Sequence, residues 1–167
     1  MKNFLILFSL FFVGIQGLAP AVGKSKKQTH YIIDGNNLLH SKGVPRQVDM
    51  IAEKLKPTAS ADPVILVFDG RPGLARTQLE EGNFKQVQLE EGASSDDFIL
   101  EEIANIGSES KTNRVKLVTA DKRLRSAALT FRPTVKQVVN PITFWKKYRP
   151  RMSGMKTTYE NPQAAED

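Results

Sequence analysis

The sequence contains no cysteine and only two histidines, His30 and His40, among its 167 residues. The absence of cysteine excludes disulfide bonds, thiolate metal sites and cysteine nucleophiles. The scarcity of histidine disfavours a zinc site, because zinc is usually held by several cysteine or histidine ligands. A metal site in this chain would therefore have to use oxygen ligands, which suit hard divalent cations.

Long apolar runs are also missing, apart from one at the N-terminus. Residues 4–15 are apolar except for one serine and one glycine, and Lys2 precedes them. This run is shorter than the roughly 20 apolar residues that a membrane-spanning helix requires. A short charged region, an apolar core and small residues before position 22 predict a signal peptide over residues 1–21. A membrane anchor is the alternative.

The segment after this apolar run suggests a destination. Residues 16–20 resemble the Ala-Phe-Ala-Pro junction of the bipartite plastid presequences of algae with secondary plastids, with Leu18 at the phenylalanine position. Residues 22–28 form a basic, acid-free linker of the kind found in transit peptides. We therefore expect entry into the secretory route and prefer the plastid as the destination, with secretion as the alternative.

From residue 29 onward the chain alternates between strand and helix patterns. Strands separated by amphipathic helices are typical of a mainly parallel sheet. We predict a single α/β domain over residues 29–151, Rossmann-like, with about five strands and helices on both faces, followed by a disordered tail over residues 152–167. The predicted strands cover residues 31–33, 64–68, 84–89, 115–119 and 135–139.

Glycine and proline set the predicted helix ends. Pro57, Gly107 and Pro150 each follow a helical pattern and are predicted to end it. Residues 76–82 show no clear periodicity, and we predict an irregular segment or a short helical turn there.

Acids follow several of the predicted strands. Asp34, Asp69 and Asp121 each come directly after an apolar run. The carboxyl ends of parallel strands form the ligand crevice of an α/β sheet, so these acids are candidate metal ligands. Asp34 and Asp121 could instead only cap the segments that follow them, and Asp69 could pair with a nearby arginine.

Two adjacent acids, Asp96 and Asp97, lie in the first turn of a predicted helix. Adjacent helical residues cannot face the same point, so one can bind a metal while the other favours the helix dipole. Other candidates are more simply explained: His40 as a loop or core residue, and the Glu90–Glu91 pair as a surface turn. Trp145 could stack on RNA, but we prefer a C-terminal helix whose aromatic residues, Phe144 and Tyr148, pack in the core.

Charge is strongly segregated along the chain. Residues 80–109 contain nine acids and one base, whereas residues 122–156 contain ten bases and no acid. The formal net charge is +6. An acidic rim beside a basic half suits metal-dependent cleavage of a polyanion, because the metal needs carboxylates and the phosphate backbone needs lysine and arginine.

Four short motifs together resemble the NYN domain, in its YacP-like branch of the PIN-like nucleases. Each motif is weak alone, but their order and spacing fit over residues 29–151. Asn36 stands where the family has tyrosine, and Asn37 matches the family asparagine. The motifs are Ile-Asp-Gly-Asn-Asn at 33–37, Val-Phe-Asp at 67–69, Ser-Ser-Asp-Asp-Phe-Ile at 94–99 and Val-Thr-Ala-Asp at 118–121.

The resemblance implies a metal-dependent endoribonuclease, associated in this branch with the ribosome. It implies Mg²⁺ or Mn²⁺ as the cofactor and RNA as the partner. Separately, we expect no membrane association once the presequence is removed. The resemblance selects Asp96 over Asp97 and gives Asn37 the role of orienting Asp34 or the attacking water. The implied metal ligands are Asp34, Asp96, Asp121 and Asp69, and the candidate phosphate contacts are Arg71, Lys122 and Arg125.

Two other functions stay open at this point. One is a non-catalytic RNA- or ribosome-binding module with the same fold, in which the acids serve only as caps. The other is an enzyme acting on small phosphorylated substrates. An aspartyl phosphatase would need a second aspartate where Asn36 stands, and neither a Gly-x-Gly-x-x-Gly motif nor a phosphate-binding P-loop is present.

Overall fold

The computed structural model describes residues 28–152. The predicted signal peptide, most of the basic linker and nearly all of the predicted tail lie outside these residues and remain predictions. None of the described helices is long and apolar enough to cross a membrane.

The centre of the fold is a six-stranded sheet with the strand order β3-β4-β2-β1-β5-β6. All neighbouring pairs are parallel except β3 and β4, which are antiparallel. The strands are β1 Thr29–Asp34, β2 Val64–Phe68, β3 Thr77–Glu81, β4 Phe84–Gln88, β5 Arg114–Val118 and β6 Val135–Val139.

Helices cover both faces of this sheet, as predicted. One apolar core contains Ile33 and Leu66 together with residues of α1, α2 and α5, and the other contains Ile32 and Ile65 with residues of α3 and α4. Burial on both faces explains why β2 is apolar at every position. The helices are α1 Gly35–Leu39, α2 Val48–Ala59, α3 Ser95–Glu109, α4 Lys122–Ala128 and α5 Pro141–Met152, with a 3₁₀ turn at Leu129–Phe131.

The prediction for residues 76–82 was wrong, because they contain strand β3. All five residues of β3 are exposed, so this edge strand lacks the apolar alternation that indicates a half-buried strand. Glu81 pairs with Phe84, which leaves Gly82 and Asn83 as a two-residue turn. A Gly-Asn pair between two short runs is a hairpin signal that could have located the strand.

The predicted ends of three helices were also wrong. Pro57 lies inside α2, Gly107 inside α3 and Pro150 inside α5, and each helix continues for two further residues. A proline near the end of a helix removes only one intrahelical hydrogen bond. Gly107 allows close packing, because a Cβ atom there would lie 2.7 Å from Oγ1 of Thr134.

Candidate metal centre at the carboxyl edge of the sheet

Asp34 is the last residue of β1 and the N-cap of α1. Its side chain is buried and accepts three hydrogen bonds. Asn37 donates its backbone N–H to Oδ1 at 3.0 Å and its Nδ2 to Oδ2 at 2.6 Å, and Thr119 Oγ1 donates to Oδ2 at 2.9 Å. Burial raises the pKa of Asp34, these hydrogen bonds oppose that shift, and the nearby charge of Asp69 adds to it.

Thr119 connects Asp34 to Asp121. Its hydroxyl donates to Asp34 and accepts the backbone N–H of Asp121 at 3.0 Å. The side chain of Asp121 caps α4, with Oδ1 accepting the N–H groups of Arg123 at 2.7 Å and Leu124 at 2.8 Å. Since Oδ1 accepts both of these bonds, capping leaves Oδ2 available for another partner.

Asp69 lies in the loop after β2 and ties that loop to two other segments. Oδ1 accepts the backbone N–H of Ser95 at 3.0 Å, and Oδ2 accepts a hydrogen bond from the Asn36 side chain. Asp69 forms no ion pair with Arg71 or Arg76 in the described structure. The guanidinium of Arg76 instead lies 5.2 Å from the ring centre of Phe98.

Asp96 lies in the first turn of α3 and is half-buried, whereas its neighbour Asp97 is exposed. No hydrogen bond to the Asp96 carboxylate is found among the described residues, unlike the three other aspartates. Burial raises the pKa of Asp96, and the charges of Asp34, Asp121, Asp69 and Asp97 raise it further. The charges of the three other predicted ligands therefore act on Asp96. Its selection over Asp97 remains a prediction.

The donor set fits a hard divalent cation in chemistry. All four side chains offer carboxylate oxygens, and no lysine or arginine forms an ion pair with them within residues 28–147. No three of the described His, Asp or Glu side chains converge closely enough to enclose a metal ion. Mg²⁺ tolerates such an open arrangement, because it usually keeps several waters and binds one or two carboxylates together with substrate phosphates.

The predicted phosphate contacts lie around this edge. Arg71 follows β2 in the Asp69 loop, while Lys122 and Arg125 belong to α4 beyond Asp121. All three are exposed. Their roles remain predictions.

Four other residues are found where the simpler explanations placed them. Glu90 and Glu91 are exposed in a turn, and His40 is an exposed loop residue. Trp145 is buried beside Phe144 in the core, so it offers no exposed ring for stacking. The side chain of Tyr148 lies outside the described part of the chain.

Sequence reasoning missed two residues that hold the site acids. Thr119 contacts both Asp34 and Asp121, and Asn36 contacts Asp69. A hydroxyl two residues before a strand-end aspartate could have indicated the first. Asn36 was noted only because it stands where the family motif has tyrosine.

Neither a protein-family model nor a curated protein sequence matches this chain. Among solved structures, a mutant of Rae1 (YacP) from Bacillus subtilis matches with a TM-score of 0.56 at 12% identity, over 76% of this chain and 78% of that chain. The chain has the same fold as Rae1 (YacP). At this identity the likeness establishes the fold alone, and the chemistry has to be argued from the residues themselves.

Proposed function

We propose that this YacP-like chain is a Mg²⁺- or Mn²⁺-dependent endoribonuclease that hydrolyses phosphodiester bonds of RNA. One arrangement carries the proposal: Thr119 joins Asp34 to Asp121, Asp69 accepts the N–H of Ser95 beside Asp96, and no cation among the described residues is paired to any of the four acids. Gathering like charges without a neutralising side chain costs folding free energy, which a bound cation would offset.

The four acids would have different roles. Asp96 and Oδ2 of Asp121 are free of hydrogen bonds within the described residues and are the best candidates for direct metal ligands. Asp34 would add its buried negative charge, and Asp69 would fix the start of α3 that carries Asp96. When bound, the cation would supply water activation and charge neutralisation at the phosphate.

Asn37 acts on Asp34 rather than on the substrate in this arrangement. Both its backbone N–H and its side-chain amide donate to the Asp34 carboxylate, which fixes both oxygens of that group. This supports the orienting role expected for Asn37 and makes it a positioning residue. Thr119 donates to the same Oδ2 as the Asn37 side chain and would have the same function.

RNA would approach with its phosphates over the basic side chains around the site. Arg71 follows Asp69 in the same loop, and Lys122 and Arg125 lie in the helix that Asp121 caps. All three are exposed, and none of them is paired to a carboxylate in the described structure. Free cations beside a metal site can neutralise phosphates on either side of the bond to be cut. We extend the proposal to mRNA on the ribosome, as the YacP-like resemblance implies.

One observation favours the second candidate, a non-catalytic RNA- or ribosome-binding module. Asp34 and Asp121 are both helix N-caps, and Asp69 accepts a backbone N–H at the start of α3. Three of the four acids therefore have a structural role that needs no metal. Asp96 has no such role among the described contacts and separates the two candidates.

Incubation of the chain with a labelled structured RNA, in Mn²⁺, in Mg²⁺ and in EDTA, tests the proposed function. We expect internal cleavage with either metal and none in EDTA. RNA binding without cleavage under all three conditions would favour the binding module, provided that adding ribosomes also produces no cleavage.

A further inference from the structure

An open cleft of about 390 Å³ adjoins the site acids at the carboxyl edge. This volume lies at the lower end of the range for small-molecule pockets, roughly 300 to 1,000 Å³. Segments that follow β1, β5 and β6 meet there. The lining residues are Asn36, Asn37, His40, Ser41, Lys42, Ala120 and Ile142.

One wall of this cleft is shared with the proposed metal centre. Asn36 donates to Asp69, and Asn37 donates to Asp34, so both asparagines touch the acids and the cleft. Ala120 immediately precedes Asp121. A group in the cleft would therefore lie next to a phosphate bound at the acids.

The outer wall combines an imidazole with a cation. Arg46 lies with a guanidinium nitrogen 3.2 Å from Nδ1 of His40, and an arginine can only donate. Nδ1 of His40 is then the acceptor of this contact. Lys42 adds an exposed ammonium group, and Ala120 and Ile142 add apolar surface.

Two other cavities have the opposite character. One is lined by Glu90, Asp97 and Glu101 with Arg76, and the second by Glu80, Glu102 and Glu109 with Lys85 and His30, so acids outnumber basic residues in both. Carboxylate walls repel a polyanion. The cleft beside the site acids has no carboxylate among its lining residues and carries Lys42 instead.

We propose that this cleft binds one nucleotide of single-stranded RNA next to the phosphate to be cut. The base would lie against the His40 ring and the apolar surface of Ile142, and Lys42 would contact a flanking phosphate. Base stacking on a planar side chain and a phosphate–lysine contact are the usual elements of single-strand recognition. This inference rests on the proposed function, since it assigns a substrate subsite to the same centre.

Binding of a fluorescein-labelled seven-nucleotide RNA, measured by anisotropy in EDTA with the full-length chain, tests the cleft without requiring cleavage. Ala120→Phe fills the cleft from an exposed position and should weaken binding about tenfold, which is the loss expected for one stacked base. His40→Ala should act in the same direction. His40→Phe keeps an aromatic face and should restore most of the binding, which a general folding defect would not allow.

The proposed contact between Lys42 and a phosphate is tested by the salt dependence of RNA binding. Lys42→Ala should reduce the slope of log Kd against log salt by about 0.7, the value for one phosphate contact on a single strand. Lys111→Ala is the matched control, because Lys111 is exposed in the turn between α3 and β5 at the far edge of the sheet and should leave the slope unchanged.

The outcomes separate this inference from the proposed function. Unchanged RNA affinity in Ala120→Phe, or an unchanged salt slope in Lys42→Ala, would overturn the cleft assignment even if the protein cleaves RNA. Weakened binding in these variants would support the cleft even if the wild-type protein cuts no RNA in any metal.

Discussion

Strand β1 carries a buried titratable side chain near each end, His30 at the amino edge of the sheet and Asp34 at the carboxyl edge. Asp34 accepts hydrogen bonds from Asn37 and Thr119. Nε2 of His30, by contrast, is a buried nitrogen without a hydrogen-bond partner in the described structure. Burial disfavours the charged form of both groups, raising the pKa of Asp34 and lowering that of His30.

This difference shows that the carboxyl edge, rather than the amino edge, holds its buried titratable side chain in place with hydrogen bonds. At the carboxyl edge, neighbouring residues supply the donors that hold the Asp34 carboxylate in place, and the charge of Asp69 acts on it. At the amino edge, no donor or acceptor among the described residues satisfies Nε2 of His30, although Glu109 and Asp62 partly oppose the loss of its charge. We therefore place the chemistry at the carboxyl edge and treat His30 as a core residue.

The largest predicted effect is on RNA cleavage. Asp96→Asn and Asp121→Asn should each reduce the rate by about a thousandfold or more, because each removes a charged ligand of the proposed metal centre. Asparagine is a good helix cap, so Asp121→Asn should still fold. Cleavage rates under single-turnover conditions give the measurement.

His30→Leu is the control from the opposite edge and should cleave at the wild-type rate. Full activity in both aspartate variants would contradict the assignment of the chemistry to the carboxyl edge. A large loss of activity in His30→Leu would contradict it as well.

The next effect concerns the hydroxyl that joins Asp34 to Asp121. Thr119→Val keeps the shape of the side chain but removes both hydrogen bonds, and we expect a 10- to 100-fold loss of activity, the usual range of about one to two powers of ten for groups that orient metal ligands. Thr119→Ser retains the hydroxyl and should recover most of the rate. Equal activity in the valine and serine variants would show that the hydroxyl does not orient the acids.

A smaller effect is expected on stability without metal. Because the folded state raises the pKa of Asp96, its ionised form is less stable there than in the unfolded chain, and Asp96→Asn removes this cost. The gain at neutral pH should be about 1 kcal/mol or less, since solvent screens a half-exposed group. Urea unfolding in EDTA measures it, and a less stable Asp96→Asn protein would contradict the prediction.

The smallest effect is a difference in pH dependence. The pKa of His30 is lowered on folding, so the unfolded state binds the extra proton and this contribution to stability is lost as the pH falls below about 6.5. The raised pKa values of Asp34 and Asp96 act in the opposite sense, and their cost is relieved as the pH falls toward the range just above 3.8.

His30→Leu should therefore flatten the loss of stability on acidification between pH 6.5 and the lowered folded pKa. The slope should change by a fraction of about 1.4 kcal/mol per pH unit, the value for one full proton. Urea midpoints across this range provide the test, with Lys111→Ala as the control. An unchanged slope would show that His30 does not titrate differently in the folded and unfolded chains.

The sequence was most informative where burial on both faces imposes a single pattern. The apolar run of β2 and the apolar ends of β1 and β5 lie side by side in the sheet and precede Asp69, Asp34 and Asp121, so the edge that carries the acids could be predicted. β3 could not be predicted from periodicity, because an edge strand with every residue exposed requires no alternation.

Some of the contacts that orient the acids join residues that are far apart in the sequence. Thr119 reaches Asp34 across 85 positions of the chain, and Asn36 reaches Asp69 across 33. Such partners depend on the register of parallel strands, which local patterns do not specify. The acids and the local pairing of Asn37 with Asp34 were therefore expected from the sequence, whereas the long-range contacts of Thr119 with Asp34 and of Asn36 with Asp69 were not.

The most direct test of the central claim is a count of bound Mn²⁺ by electron paramagnetic resonance, without RNA, in the wild-type chain, Asp96→Asn and His30→Leu. We predict saturable binding by the wild type and His30→Leu, and at least a tenfold loss of affinity in Asp96→Asn. Equal Mn²⁺ binding in all three proteins, or none in the wild type, would contradict a metal centre at the carboxyl edge.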